Sequence, residues 1–316
     1  MAATILNPQK FQNPARTLDG QVRARVALRG LETLWFNTGT LCNITCAHCY
    51  IESSPTNDRL TYLTASDVAQ YLDEIRAANL PTTEIGFTGG EPFMNPDILL
   101  MLEACLSRGF RVLVLTNAMQ PMRRAKISLG LLELQARFGG NLTLRISVDH
   151  YTQSLHETER GAGTWNAAIA GLHYLSVNGF SLHVAGRLCW DEDMATARAG
   201  YARLFAEHDI HVDAHNPAHL VLFPEMDEQV DVPEITTACW GILDKNPEDV
   251  MCASSRMVVK RKGASRPAVA ACTLLPYDAR FEMGETLADA SRPVTLNHPH
   301  CAKFCVLGGA SCSVKT

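Results

Sequence analysis

Between Thr33 and Pro224 the sequence alternates short apolar runs with longer stretches of helical period, and that rhythm restricts the fold more than any other feature. Six runs read as strands, at 33–37, 84–88, 111–116, 142–149, 181–187 and 220–223, with helical segments near 65–78, 96–108, 122–138, 164–177 and 194–208. Strands that alternate with helices pair in parallel, because each crossover returns the chain to the same end of the sheet. Thr64, with Asp67 three residues on, reads as a variant capping box, and Gly109 and Gly179 stand where helix C-terminal glycines belong. Six such units either curl into a partial barrel or open into a doubly wound sheet, and periodicity does not choose between them. In both, ligands gather at the C-terminal strand ends.

The loop after the first strand carries Cys42, Cys46 and Cys49, in Leu41-Cys-Asn-Ile-Thr-Cys-Ala-His-Cys-Tyr50. A 4Fe-4S cluster normally takes four thiolates, so three on one loop with no fourth nearby leave one iron open to another ligand. Two other uses stand beside this one. A zinc site completed by His48 or a distant residue would use the same thiols, although zinc sites favour paired Cys-x-x-Cys knuckles. A redox dithiol would use Cys46 and Cys49 and leave Cys42 without purpose.

Composition narrows the class. With 47% hydrophobic and 19% charged residues the chain is globular in character, and 28 Lys+Arg against 33 Asp+Glu give a net charge of -5. That balance offers no footprint for nucleic acid or an anionic membrane, and Lys260-Arg261-Lys262 reads as a solvated turn. No signal-peptide core and no run of about 18 apolar residues occurs. The eleven cysteines therefore read as metal ligands in a reducing cytoplasm rather than as a disulfide framework.

Cys-x-x-x-Cys-x-x-Cys followed by an aromatic, here Tyr50, resembles the signature of the radical S-adenosylmethionine (SAM) enzymes. Thr88-Gly-Gly-Glu-Pro92, one βα unit later, resembles that family's Gly-Gly-Glu-Pro motif. The resemblance implies a partial (βα)6 barrel with a 4Fe-4S cluster on Cys42, Cys46 and Cys49. SAM would chelate the open iron, and its cleavage would give a 5'-deoxyadenosyl radical. It further implies that Tyr50 lies near the adenine and that Gly89, Gly90 and Glu91 hold the SAM amino group. Asn117 takes the place of a Thr-Asn-Gly segment whose glycine is Ala118 here. Ser147 and Asp149 match a Ser-x-Asp that contacts the SAM ribose and carboxylate or the substrate, and Arg187 would bind the SAM carboxylate. Read without the family, these are strand-end polar residues and an exposed or ion-paired arginine. Trp165 reads as packing, and His150, His183, His211, His215 and His219 receive no catalytic role.

After Pro224 the alternation stops and cysteines crowd the chain. The expected organisation is an extension over 1–30, a barrel over 31–224 and a small cysteine-rich unit over 225–316. Cys252 and Cys272 flank a hairpin with a turn at Gly263, and Cys301, Cys305, Cys312 and Cys239 add further thiols. This resembles the SPASM or twitch extension, with looser spacing. It implies one auxiliary 4Fe-4S cluster facing the same cavity, drawing on Cys252, Cys272, Cys312 and one of Cys301 or Cys305, with Cys239 in reserve. A second cluster would need non-cysteine ligands such as His298 or His300, and a zinc site on the same thiols stays open.

The expectation is an enzyme that abstracts hydrogen from a peptide, protein or small molecule, supplied with electrons by a flavodoxin or ferredoxin. Residues 1–30 are too short for a leader-peptide-binding domain, and the acidic stretch 225–231 would suit a basic substrate or merely solvate. A non-catalytic iron-sulfur or zinc protein is the alternative. The Gly89-Gly90-Glu91-Pro92 segment argues against it, since an electron carrier needs no SAM seat.

Overall fold

The computed structural model describes residues 5–225 and 227–308. Its strands are β1 (Arg25–Val26), β2 (Thr33–Asn37), β3 (Glu84–Thr88), β4 (Arg111–Thr116), β5 (Leu142–Ser147), β6 (Ser181–Leu188), β7 (Leu220–Pro224), β8 (Ser255–Val259), β9 (Ala268–Ala270) and β10 (Val294–Thr295). The helices are α1 (Ala65–Ala77), α2 (Ile98–Leu106), α3 (Gln120–Arg123), α4 (Ala125–Phe138), α5 (Gln153–Arg160), α6 (Thr164–Val177), α7 (Met194–Glu207) and α8 (Cys239–Ile242). All six strands read from the sequence are present, with ends shifted by at most two residues. The expected helix over 122–138 is divided, because Arg124 is extended (φ -59°, ψ 137°) and separates α3 from α4.

Strands β2 to β7 pair in sequential order and in parallel, giving the expected partial (βα)6 barrel. All five residues of β2 are buried, as in strands covered on both faces. Inside the sheet Trp35 lies against Gly86, where an added Cβ would sit 2.3 Å from the indole ring. The capping box of α1 forms in both directions: Thr64 Oγ1 accepts from the Asp67 amide (3.1 Å) and Asp67 Oδ2 from the Thr64 amide (2.9 Å).

The cysteine-rich segment does not build a sheet of its own. Its β8 pairs in parallel with β2, Ser255 opposite Thr33, and β9 returns antiparallel, so one sheet runs β7-β6-β5-β4-β3-β2-β8-β9. Cys252 precedes β8 and Cys272 follows β9, both at the N-terminal end of the parallel strands and opposite the Cys42–Cys49 loop. The N-terminal segment binds the tail through β1–β10 pairing, Lys10–Asp231 (2.7 Å) and a buried Arg23–Glu234 ion pair. The basic run turns at Lys262, which is solvated, while Lys260 and Arg261 are partly buried. Lys260 pairs with Asp67 (3.0 Å), Arg261 with Glu282 (2.5 Å) and Lys262 with Asp58 (2.5 Å).

Candidate functional site

Beyond Asn37 the chain turns through Thr38–Thr40 and is stitched to the segment following β3. Thr38 N–H donates to Thr88 O (2.8 Å), Gly90 N–H to Gly39 O (2.8 Å) and Glu91 N–H to Leu41 O (3.1 Å). Gly89 has φ +138°, and a Cβ there would lie 2.5 Å from Gly39 O; one on Gly90 would lie 2.1 Å from Leu41 O. The two glycines therefore admit the backbone of the cysteine loop itself, as well as lining the cleft beyond it.

Cys42, Cys46 and Cys49 open onto one cleft of about 930 Å³. Burial pushes the Cys42 thiol up to about 12, against an amide bond from Ile44, with Glu91 and the other two thiols adding to the rise. Burial also raises Cys46, opposed by Arg160. Thiols that resist ionising alone but sense one another ionise together when a cation enters, which is the chemistry of a metal-binding set.

The same cleft is lined by Tyr50, Gly89, Gly90 and Asn117, and by Ser147, Asp149 and Arg187. Glu91 is set back from it. It is buried, and its carboxylate accepts from Thr116 Oγ1 (2.8 Å), the Asn117 amide (2.9 Å) and the Phe93 amide (3.1 Å). Burial raises its pKa, and these donors oppose the rise. Asn117 Nδ2 donates to Asn43 Oδ1 (2.9 Å), and its Oδ1 accepts from the Met119 amide (3.0 Å). Ala118 adopts φ +58°, the conformation that a glycine takes at lower cost.

Sequence reading missed α5, and with it two residues that organise the site. The Ala47 amide donates to Glu159 O (2.7 Å), His48 Nδ1 meets Glu159 Oε2 at 2.9 Å, and Arg187 Nη2 donates to His48 O (2.8 Å). Arg160 grips Asp149 with two nitrogens, Nε at 2.8 Å and Nη2 at 3.2 Å, while Arg187 lies 3.7 Å from Asp149 and 3.3 Å from Glu159. Burial alone would lower the Arg160 pKa, but Asp149 and Cys46 more than offset it and keep the guanidinium charged. The helix was hidden because Gln-Ser-Leu-His-Glu-Thr-Glu-Arg lacks an apolar period. Gly161, at φ +96° directly after it, was the available signal. Trp165 packs edge-on to His156, as expected of a packing residue.

Among the described residues the tail thiols do not line this cleft, contrary to expectation. Cys252, Cys272, Cys301 and Cys305 line a separate apolar cavity of about 370 Å³ with His300. Cys301 and Cys305 both belong to it, carried on a π-helical segment, Cys301–Leu307, a form concentrated at functional sites. Cys239 is not among its lining residues; its sulfur accepts from the Thr236 amide (3.4 Å). Cys312 lies outside the described residues. Burial raises Cys252 to about 11, opposed by Arg256, and lifts Cys301 well above the usual thiol range, with Cys272 and Cys252 adding to it. Arg256 is buried and donates to the carbonyls of Cys252 (2.6 Å), Ser255 (2.7 Å) and Ala290 (2.8 Å). Burial lowers its pKa to about 10, so it remains charged at neutral pH beside Cys252 and Cys272.

One zinc ion holds sulfur ligands about 2.3 Å away, so donors on one ion lie within twice that distance. Among the described residues, the group of metal-binding donors within 4.8 Å of one another is Glu228, His298 and His300, not a set of thiols.

A partial barrel with three loop thiols and an ion-paired rim at the strand ends defines an α/β protein class with a cysteine-bordered cleft. Residues 36–189 match the radical SAM superfamily, and the chain carries a radical SAM domain. The antilisterial bacteriocin subtilosin biosynthesis protein AlbA of Bacillus subtilis (strain 168) is 31% identical over 145 residues, covering 46% of this chain and 30% of AlbA. The crystal structure of Streptococcus suis SuiB bound to precursor peptide SuiA superposes with a TM-score of 0.56 at 13% identity, over 82% of this chain and 63% of SuiB. That of anSMEcpe with bound AdoMet gives 0.57 at 12% identity, over 86% and 82%. These structures share the fold. The matched segment spans only 24% to 38% of the curated relatives.

Proposed function

We propose that this chain cleaves SAM reductively and uses the resulting radical to abstract hydrogen from a peptide or protein, with an auxiliary 4Fe-4S cluster in the tail. The observation that carries the reading is the convergence of Cys42, Cys46 and Cys49, the Gly89-Gly90 wall and the Asp149–Arg160–Arg187 network on one cleft. A 4Fe-4S cluster on the three thiolates, with SAM on its open iron, supplies the electron and the 5'-deoxyadenosyl radical when bound.

The protein's part is binding and enclosure. Asp149 orients Arg160 and, together with Glu159, Arg187; the guanidiniums' remaining N–H groups suit the SAM carboxylate. The backbone at Gly89-Gly90 borders the place of its amino group, Ser147 suits the ribose, and Tyr50 suits the adenine. Glu91 acts from behind, holding the Thr116–Asn117 turn in place. In the tail, the charge of Arg256 favours thiolates at Cys252 and Cys272, and the separation of the thiols suits a polynuclear cluster better than one zinc ion. A peptide substrate is supported by AlbA, a subtilosin biosynthesis protein, and by SuiB, solved with its precursor peptide bound. The electron would come from a flavodoxin or ferredoxin. Among the described residues no helix is long and apolar enough to cross a membrane.

Anaerobic reconstitution, then dithionite and SAM, tests the enzyme reading: 5'-deoxyadenosine should form, and iron-loaded protein that makes none would sink it. Changing Cys42, Cys46 and Cys49 together to Ala should reduce product to background and leave tail iron bound. Deuterium appearing in 5'-deoxyadenosine from a perdeuterated peptide encoded beside this gene would identify the substrate class; transfer only from small molecules would refute the peptide assignment.

A further inference from the structure

His300 is buried at 2% exposure and lines the tail cavity together with the four thiols. Its Nε2 lies 2.9 Å from Glu228 Oε1. An ionised carboxylate only accepts, so in the neutral ring Nε2 carries the proton and Nδ1 the lone pair. That Nδ1 is buried and has no hydrogen-bond partner among the described residues. A ring whose one nitrogen is tied to a carboxylate while the other presents a lone pair is the usual arrangement of a metal-bound histidine. The backbone fixes its position as well. The His300 amide donates to His298 Nδ1 (3.1 Å) and the Cys301 amide to His298 O (3.0 Å), where the chain enters the π-helical segment.

We infer that His300 Nδ1 is a protein ligand of the metal group in the tail, completing a set with Cys252, Cys272 and Cys301. This deepens the auxiliary-cluster reading and rests on it. Five donors line the cavity, whereas a 4Fe-4S cluster takes four. Cys272 and Cys252 are the thiols that act most strongly on Cys301. Cys252 and Cys301 are buried, and Cys272 and Cys305 are both partly buried. Imidazole in place of thiolate removes a negative charge, which raises the reduction potential of an iron-sulfur centre. Glu228, more than half exposed, links this ligand to solvent.

The test uses the full chain with Cys42, Cys46 and Cys49 changed to Ala, reconstituted anaerobically, reduced, and labelled with isotopic nitrogen in histidine. Pulsed electron paramagnetic resonance should show a directly bound imidazole nitrogen, with about four irons per chain. His300→Ala should lose that coupling and most of the iron. His300→Cys should restore the iron without the coupling and at a lower potential, which separates lost ligation from misfolding. Cys305→Ser should keep both iron and coupling. Iron bound without an imidazole signal overturns the inference, as does iron lost from Cys305→Ser but kept in His300→Ala. One zinc per chain, lost on changing Glu228 or His298 to Ala, would assign the imidazole to a single-ion site and also overturn it. A tail that binds no iron under any condition defeats the auxiliary-cluster reading itself.

Discussion

Cys42, Cys46 and Cys49 border an open cleft of about 930 Å³ rimmed by ion pairs, whereas Cys252, Cys272, Cys301 and Cys305 line an apolar cavity of about 370 Å³. Around the first set the charges come from mobile-length side chains locked to one another: Arg160 to Asp149, Arg187 to Glu159, His48 to Glu159. Around the second the neighbouring charges include Arg256, held by backbone carbonyls, and Glu228 on His300. A polar, solvent-reachable rim lets a charged ligand enter and leave, while a small apolar cavity retains what it holds. Under the proposed function the first suits a ligand that turns over and the second a group that stays bound.

The comparison is best broken at the cleft rim. Arg160→Met leaves Asp149 buried with only the more distant Arg187, and should destabilise the fold by about 3 kcal/mol and lower SAM cleavage about 10- to 100-fold. Urea melts and 5'-deoxyadenosine yield measure the two effects, and tail iron should be unchanged. Gly90→Ala forces a Cβ against Leu41 O and should cost about 2 kcal/mol, read as a lower urea midpoint with weakened iron retention at the cleft only. Arg256→Met mirrors these changes in the tail. It abandons buried carbonyls at about 1–2 kcal/mol and should lower tail iron in the chain lacking the cleft thiols, leaving SAM cleavage less affected than tail iron.

The smallest effect belongs to a helix cap that lines neither thiol site. Thr64→Ala removes half of the α1 capping box and should cost about 1 kcal/mol without changing iron content. Burial raises the Asp67 pKa, but bonds from Thr64 and Lys260 outweigh it and hold the carboxyl below its usual range. A depressed folded-state pKa contributes stability above the unfolded value, about 3.9, that is lost as pH falls through the folded one. The difference between wild type and Thr64→Ala should therefore shrink on acidification below about pH 4, measured by melts across that range.

The strands were legible because their residues are packed on both sides, as in β2, so tertiary context agrees with local pattern. The loop thiols were legible because all three are local in sequence. Helix α5 was not, since its eight residues are polar and its stability comes from docking Glu159 and Arg160 onto distant partners. Nor was the pairing of β8 with β2, which joins Thr33 to Ser255 across the length of the barrel. The separation of the tail thiols from the cleft followed from that pairing and was misread with it. The use of Gly89 and Gly90 to admit the cysteine loop, and of Glu91 as an internal acceptor, also depends on contacts that no local spacing encodes.

Strand β8 has a further consequence for how the chain can be divided. With β8 in place, β2 lies inside the sheet; cut after Pro224, the barrel would end on β2 itself, five apolar-packed residues with a full row of unpaired amides and carbonyls. An uncovered strand of that kind templates aggregation. The cysteine-rich segment thus covers the barrel's edge whatever metal it carries, and a barrel excised after Pro224 is expected to aggregate.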